Sequence, residues 1–142
     1  MRTMCTFLLA SLVLSACAQS VPPAALQASP AATAVRNPII ADAEPEITQQ
    51  VAATLERLRA GLMAPDEMTD SARAALSSSQ LQKMAAALKG CAKPPTLELL
   101  SRTTKGEDRH YHYRALCTPA PAMVEIVFNK GGRINLLSVM PE

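Results

Sequence analysis

Arg109-His110-Tyr111-His112-Tyr113-Arg114-Ala115-Leu116-Cys117 is the stretch that decides the fold. Read as an extended strand, it alternates: Tyr111, Tyr113, Ala115 and Cys117 fall on one face, and His110, His112, Arg114 and Leu116 on the other. Both tyrosines and both histidines of the chain lie within it. The tyrosine face belongs against a core and the histidine face toward solvent. A strand of this kind needs partners, and parity finds three. Thr96 to Thr104 buries Leu97 and Leu99; Ala122 to Asn129 buries Val124, Ile126 and Phe128; Arg133 to Met140 buries Ile134, Leu136 and Met140.

Register follows from the same parity, because a one-residue slip would turn every core side chain toward water. Matching core faces sets Leu99 opposite Ala115, Leu97 opposite Cys117 and Arg102 opposite His112, with Lys105 to Arg109 as the turn. A two-residue Gly-Gly loop between the last two strands would oppose Phe128 to the surface residue Asn135. A three-residue loop, Lys130-Gly131-Gly132, opposes Phe128 to Ile134 and keeps parity, with one glycine left-handed.

Upstream the period changes to helical. Pro45 suits a first helical position, Glu44 and Glu46 suit the positive end of the helix dipole, and Ile47, Val51, Leu55, Leu58 and Leu62 repeat on one buried stripe. Gly61 and Ala64-Pro65 stop that helix. A short second helix is expected from Ser71 to Ser77, capped by Thr69 or Asp70 and turning Ala72, Ala75 and Leu76 inward. A third runs from Gln80 to Lys89, with Ser79 and Gln82 as a capping box and Leu81, Met84, Ala85 and Leu88 buried; Gly90 ends it. The predicted class is α+β: three N-terminal helices packed on one face of a four-stranded antiparallel meander.

The first 17 residues read as a targeting segment. Arg2 gives the positive end, and the apolar run Phe7 to Leu14 is too short to span a bilayer. Leu14-Ser15-Ala16-Cys17 resembles a bacterial lipobox, which implies lipidation at Cys17; the competing reading is cleavage after Ala16-Cys17-Ala18. Ala18 rather than Asp after the cysteine favours the outer membrane. Residues 18–44, punctuated by Pro22, Pro23, Pro30 and Pro38, read as a Pro/Ala-rich tether, leaving 45–142 as the folded domain. Export to an oxidising compartment makes Cys91 and Cys117 a disulfide pair, closing a loop of about 25 residues and contributing about 3 kcal/mol. The near balance of 14 Lys and Arg against 12 Asp and Glu excludes the basic face of a nucleic-acid binder.

Leu81 to Leu88, Leu97-Glu98-Leu99-Leu100, Tyr111-His112-Tyr113 and Phe128-Asn129-Lys130-Gly131-Gly132-Arg133-Ile134 come in the order of a small nuclear-transport-factor-2-like (SnoaL-like) domain, which the chain resembles over roughly residues 46–141. The resemblance implies a curved sheet around a helix, with a cone that carries an acid or a histidine in catalytic members. Here the inward set holds neither, only Tyr111 and Tyr113.

The remaining chemistry is sparse. His110 and His112 have a spacing that metal sites use, with Glu125 on the same face, but Arg102 and Arg114 beside them would repel a cation, so no metal site is expected. No Gly-x-Ser-x-Gly, phosphate loop or nucleophile–base pair is legible, so no catalytic residue and no cofactor is assigned. Tyr111 and Tyr113 either line a small pocket or fill the core. The outer sheet face, with Leu100, His112, Arg114, Val127, Leu137 and Val139, is the expected partner surface, for a second copy or another envelope protein. The reading is a non-catalytic lipoprotein in the periplasm-facing envelope, its domain a binding or assembly module; the alternative is an isomerase, dehydratase or hydrolase built around the two tyrosines.

Overall fold

A computed structural model describes residues 38–142; Cys17 and the rest of residues 1–37 lie outside the described part. The elements are α1 (Pro45–Arg59), a 3-10 turn (Pro65–Glu67), α2 (Asp70–Ala75), α3 (Ser78–Ala87), β1 (Leu97–Lys105), β2 (Asp108–Ala115), β3 (Ala122–Phe128) and β4 (Ile134–Pro141). The class is α+β, with helices and one antiparallel sheet in the order β1-β2-β3-β4. Among the described residues no helix is long and apolar enough to cross a membrane.

Helix α1 starts at Pro45 and ends in a Schellman turn: Gly61 at φ 74° donates to the Leu58 carbonyl (3.0 Å), and Leu62 donates to that of Arg57 (2.8 Å). That turn carries Leu62 off the helix, so the expected last member of the buried stripe is 67% exposed instead. Val51, Leu55 and Leu58 are buried. Thr69 caps α2 through the Ala72 N–H. The capping box of α3 is Ser77 with Gln80, two residues earlier than the Ser79 and Gln82 expected, because Ser77 is the residue held in the extended cap conformation.

Two β-bulges separate the observed sheet from simple alternation. In the first, Leu99 pairs with Tyr113 but Ser101 with His112, leaving Leu100 as an extra residue. The pairing Leu99 to Ala115 is thereby corrected to Leu97 to Ala115, and Arg102 lies opposite Tyr111, not His112. Lys105, Asp108 and Arg109 leave the expected turn for the strands, so it becomes a two-residue hairpin with Gly106 at φ 63°. The second bulge lies at Asn135: Phe128 pairs with Ile134 and Val127 with Leu136. Asn135 is fixed on both sides, accepting from the Thr69 hydroxyl and donating to Asp108, each at 3.1 Å. Parity downstream of it is inverted. Leu137 and Val139 are in the core at 5% and 4% exposure, while Leu136 and Met140, expected inside, are 41% and 56% exposed. The three-residue loop before β4 is as expected, closed by the Asn129 N–H on the Arg133 carbonyl with Gly132 at φ 76°.

One cluster unites Val51, Leu55 and Leu58 of α1, Met84 and Leu88, and the sheet residues Leu99, Tyr111, Tyr113, Val124, Ile126, Phe128, Ile134 and Val139. At its end the disulfide joins Cys91 to Cys117, which form an isolated antiparallel bridge, so Cys117 is beyond β2 rather than in it. Gly90 abuts this link: its carbonyl accepts from the Thr118 N–H (2.9 Å), and a Cβ on Gly90 would collide with the Thr118 backbone carbonyl. Gly90→Ala therefore has to push two backbone segments apart beside a covalent tie. It should lower stability by about 1–3 kcal/mol in a denaturation titration, as overpacking does elsewhere; an unchanged midpoint would contradict the close approach.

Candidate functional site

The two tyrosines are core side chains and not the walls of an open cone. They are 1% and 0% exposed, their rings lie 6.1 Å apart and nearly parallel, and Tyr111 meets Phe128 edge-on at 6.0 Å. Each hydroxyl is engaged. Tyr111 donates to Glu44 Oε2 (2.7 Å), and Tyr113 shares a hydrogen bond with Thr48 (3.0 Å). Glu44 also meets Arg102 (3.2 Å), which the first bulge has turned to the tyrosine side. Ile40 donates to the Leu99 carbonyl (2.9 Å), so residues ahead of α1 are stitched to the edge of β1. Sequence reasoning assigned Glu44 to the helix dipole alone; nothing in the pattern ties it to a tyrosine far along the chain.

The outer sheet face differs from expectation in most of its members. Leu137 and Val139 point the other way, and Leu100, Arg114 and Val127 are buried at 6%, 7% and 3% exposure. Arg114 bridges Glu142 (3.0 Å) and Glu98 (3.4 Å); its hydrogen bonds to Glu142, opposed by burial, hold its pKa above the ordinary value. Of the six residues named for a partner surface, only His112 keeps an open side chain, 44% exposed. His110 and His112 share this face across from Thr103 and Ser101, and no third His, Cys, Asp or Glu completes a metal-sized group among the described residues.

His112 has partners on both neighbouring strands. Its Nδ1 lies 2.7 Å from the Ser101 hydroxyl and its Nε2 lies 3.5 Å from Glu125 Oε1. The bulge at Leu100 creates the first contact by sliding Ser101 into the place expected for Arg102. A cavity of about 400 Å³ adjoins the pair, walled by Pro38, Leu100 and Met123.

A larger concavity lies elsewhere, along β4. A groove of about 830 Å³ separates this edge strand from α2 and α3, with Ala72, Leu76, Met84, Leu137, Val139 and Met140 among its walls. Lys83 is the one charged side chain lining it. Met68 and Thr69 cover only the start of the edge, the Thr69 N–H donating to the Ile134 carbonyl (2.9 Å). Beyond that point no described strand pairs with the outer edge of β4, the side away from β3, and Ile134 to Pro141 contains no charged residue. An unpaired, uncharged edge beside apolar walls is what an added strand requires.

The sequence matches no family model, no curated protein and no solved structure.

The Tyr111–Glu44 contact has a titration consequence. Burial first, then the hydrogen bond to Glu44 and its charge, push the Tyr111 pKa up from 10.0 to about 12; burial also raises that of Tyr113. In the unfolded chain Tyr111 ionises from pH 10.0, whereas the native state resists until about pH 12. The stability this contributes is intact below pH 10.0 and is lost as pH rises toward about 12. Phenolate absorbance should show late ionisation of Tyr111, and Glu44→Gln should move it earlier without restoring the ordinary value, because burial remains. Ionisation of the native protein at the ordinary value would contradict this packing.

Proposed function

We propose that this chain is a lipid-anchored envelope protein whose domain binds an extended peptide segment of another envelope protein by adding a strand to β4. The observation that carries the reading is the outer edge of β4, unpaired among the described residues, facing an apolar groove. Every second side chain of an added strand would enter the groove, between Leu137 and Val139 on one side and α2 and α3 on the other. Lys83 selects for a carboxylate on the incoming segment. The preferred ligand is therefore an extended stretch with alternate apolar side chains and one acidic group. In this reading the helices together cover one face of the sheet, in the manner of a small nuclear-transport-factor-2-like domain whose groove serves binding. Anchorage rests on the Leu14-Ser15-Ala16-Cys17 motif, with the residues between Cys17 and Pro38 as tether to the outer membrane. The alternative, an enzyme with a cone lined by Tyr111 and Tyr113, has less support, since both side chains are closed off from solvent.

Two experiments test the reading. Metabolic palmitate should label the protein and Cys17→Ser should abolish the label; a mature chain beginning at Gln19 would contradict the anchor. Peptides selected from a random extended library should alternate apolar residues around an acid, shift the amide resonances of Leu136 to Met140, and bind up to about fivefold more weakly to Lys83→Glu, the scale of an exposed ion pair. Selected peptides that leave those amides unmoved would contradict the site.

A further inference from the structure

We propose that Ser101, His112 and Glu125 form an acyl-transfer site on the outer sheet face, separate from the groove, with Ser101 as nucleophile toward small activated esters. The three residues stand on adjacent strands, His112 opposite Ser101 on β1 and opposite Glu125 on β3. Ser101 Oγ is 2.7 Å from His112 Nδ1, within the reach a general base needs, and Glu125 Oε1 is 3.5 Å from Nε2. This is the nucleophile–base–carboxylate order of a serine hydrolase with the two ring nitrogens exchanged. Glu125 favours the tautomer with its proton on Nε2, which leaves Nδ1 free to accept from Ser101. All three side chains rise from paired strands, a more rigid mount than a loop. The adjoining cavity of about 400 Å³ offers Leu100 and Met123 to a small acyl group.

The chemistry balances within these groups and water. Ser101 Oγ bonds to the acyl carbon as its proton passes to Nδ1, and the carbonyl electron pair moves to oxygen. When that pair returns, the bond to the leaving oxygen breaks and Nδ1 supplies its proton. Water then attacks the acyl-serine by the same route, releasing the acid and restoring Ser101. With His112 44% exposed, water competes at the developing charge, so substrates are those with good leaving groups, such as aryl esters.

The test uses the full chain with a fluorophosphonate probe and p-nitrophenyl acetate. The adduct should map to Ser101. Ester hydrolysis should be lost in Ser101→Ala and fall by about 10²-fold or more in His112→Gln, the usual contribution of a general base; Glu125→Gln should give a smaller loss. An adduct elsewhere, or none, would overturn the assignment. So would hydrolysis that survives Ser101→Ala yet disappears in His112→Gln, since imidazole would then be attacking directly. If Ser101→Ala fails to fold, the adduct map of the unaltered chain decides alone.

Discussion

Two inserted residues, Leu100 in β1 and Asn135 in β4, govern which side chains this domain buries and which it shows. A strand has a side-chain period of two, so one extra residue inverts everything beyond it. The Asn135 bulge turns Leu137 and Val139 inward, where they complete the core and form the sheet side of the groove. It also leaves Leu136 and Met140 exposed along the same edge. The Leu100 bulge sends Arg102 to Glu44 and brings Ser101 to His112. Both proposed working surfaces are products of these inversions.

Around them the structure is anchored by local chemistry. Tyr111 and Tyr113 are wedged between α1 and the sheet with both hydroxyls satisfied, so burying them leaves no orphaned polar atom. Glu44 belongs simultaneously to the approach to α1, to Tyr111 and to Arg102, tying β1 and β2 to the helix entry. At the other end the Cys91–Cys117 disulfide holds the chain after α3 against the end of β2, where the close approach of Gly90 leaves no room for a side chain. A domain of this size has a modest core, so such ties matter more than they would in a larger one.

Much of the frame is legible in the residues. Pro45 marks the start of α1, Gly61 its stop, and Tyr111 and Tyr113 the buried side of β2; the three-residue loop at Lys130 to Gly132 follows from parity alone. The bulges are not legible, for a definite reason. Leu99-Leu100 and Leu136-Leu137 are adjacent apolar pairs, and either member satisfies an alternating pattern. Taking Leu136 as the buried member sets Leu137 and Val139 on the outer face, whereas Leu99 is buried as expected and only the unbroken register past it sets Arg102, not Ser101, opposite His112. What breaks the tie is tertiary: Asn135 finds Thr69 and Asp108, and Ile40 finds the Leu99 carbonyl. Two adjacent leucines in a short strand are a usable warning of a register shift, even though they do not say which one is inserted.

The groove and the serine–histidine pair both depend on this register, which cross-strand proton contacts measured by NMR report residue by residue. Ser101 should face His112 and Arg102 should face Tyr111, with Leu136 facing Val127 and Ile134 facing Phe128. Contacts placing Arg102 opposite His112, or Asn135 opposite Val127, would remove the bulges and with them both proposed surfaces.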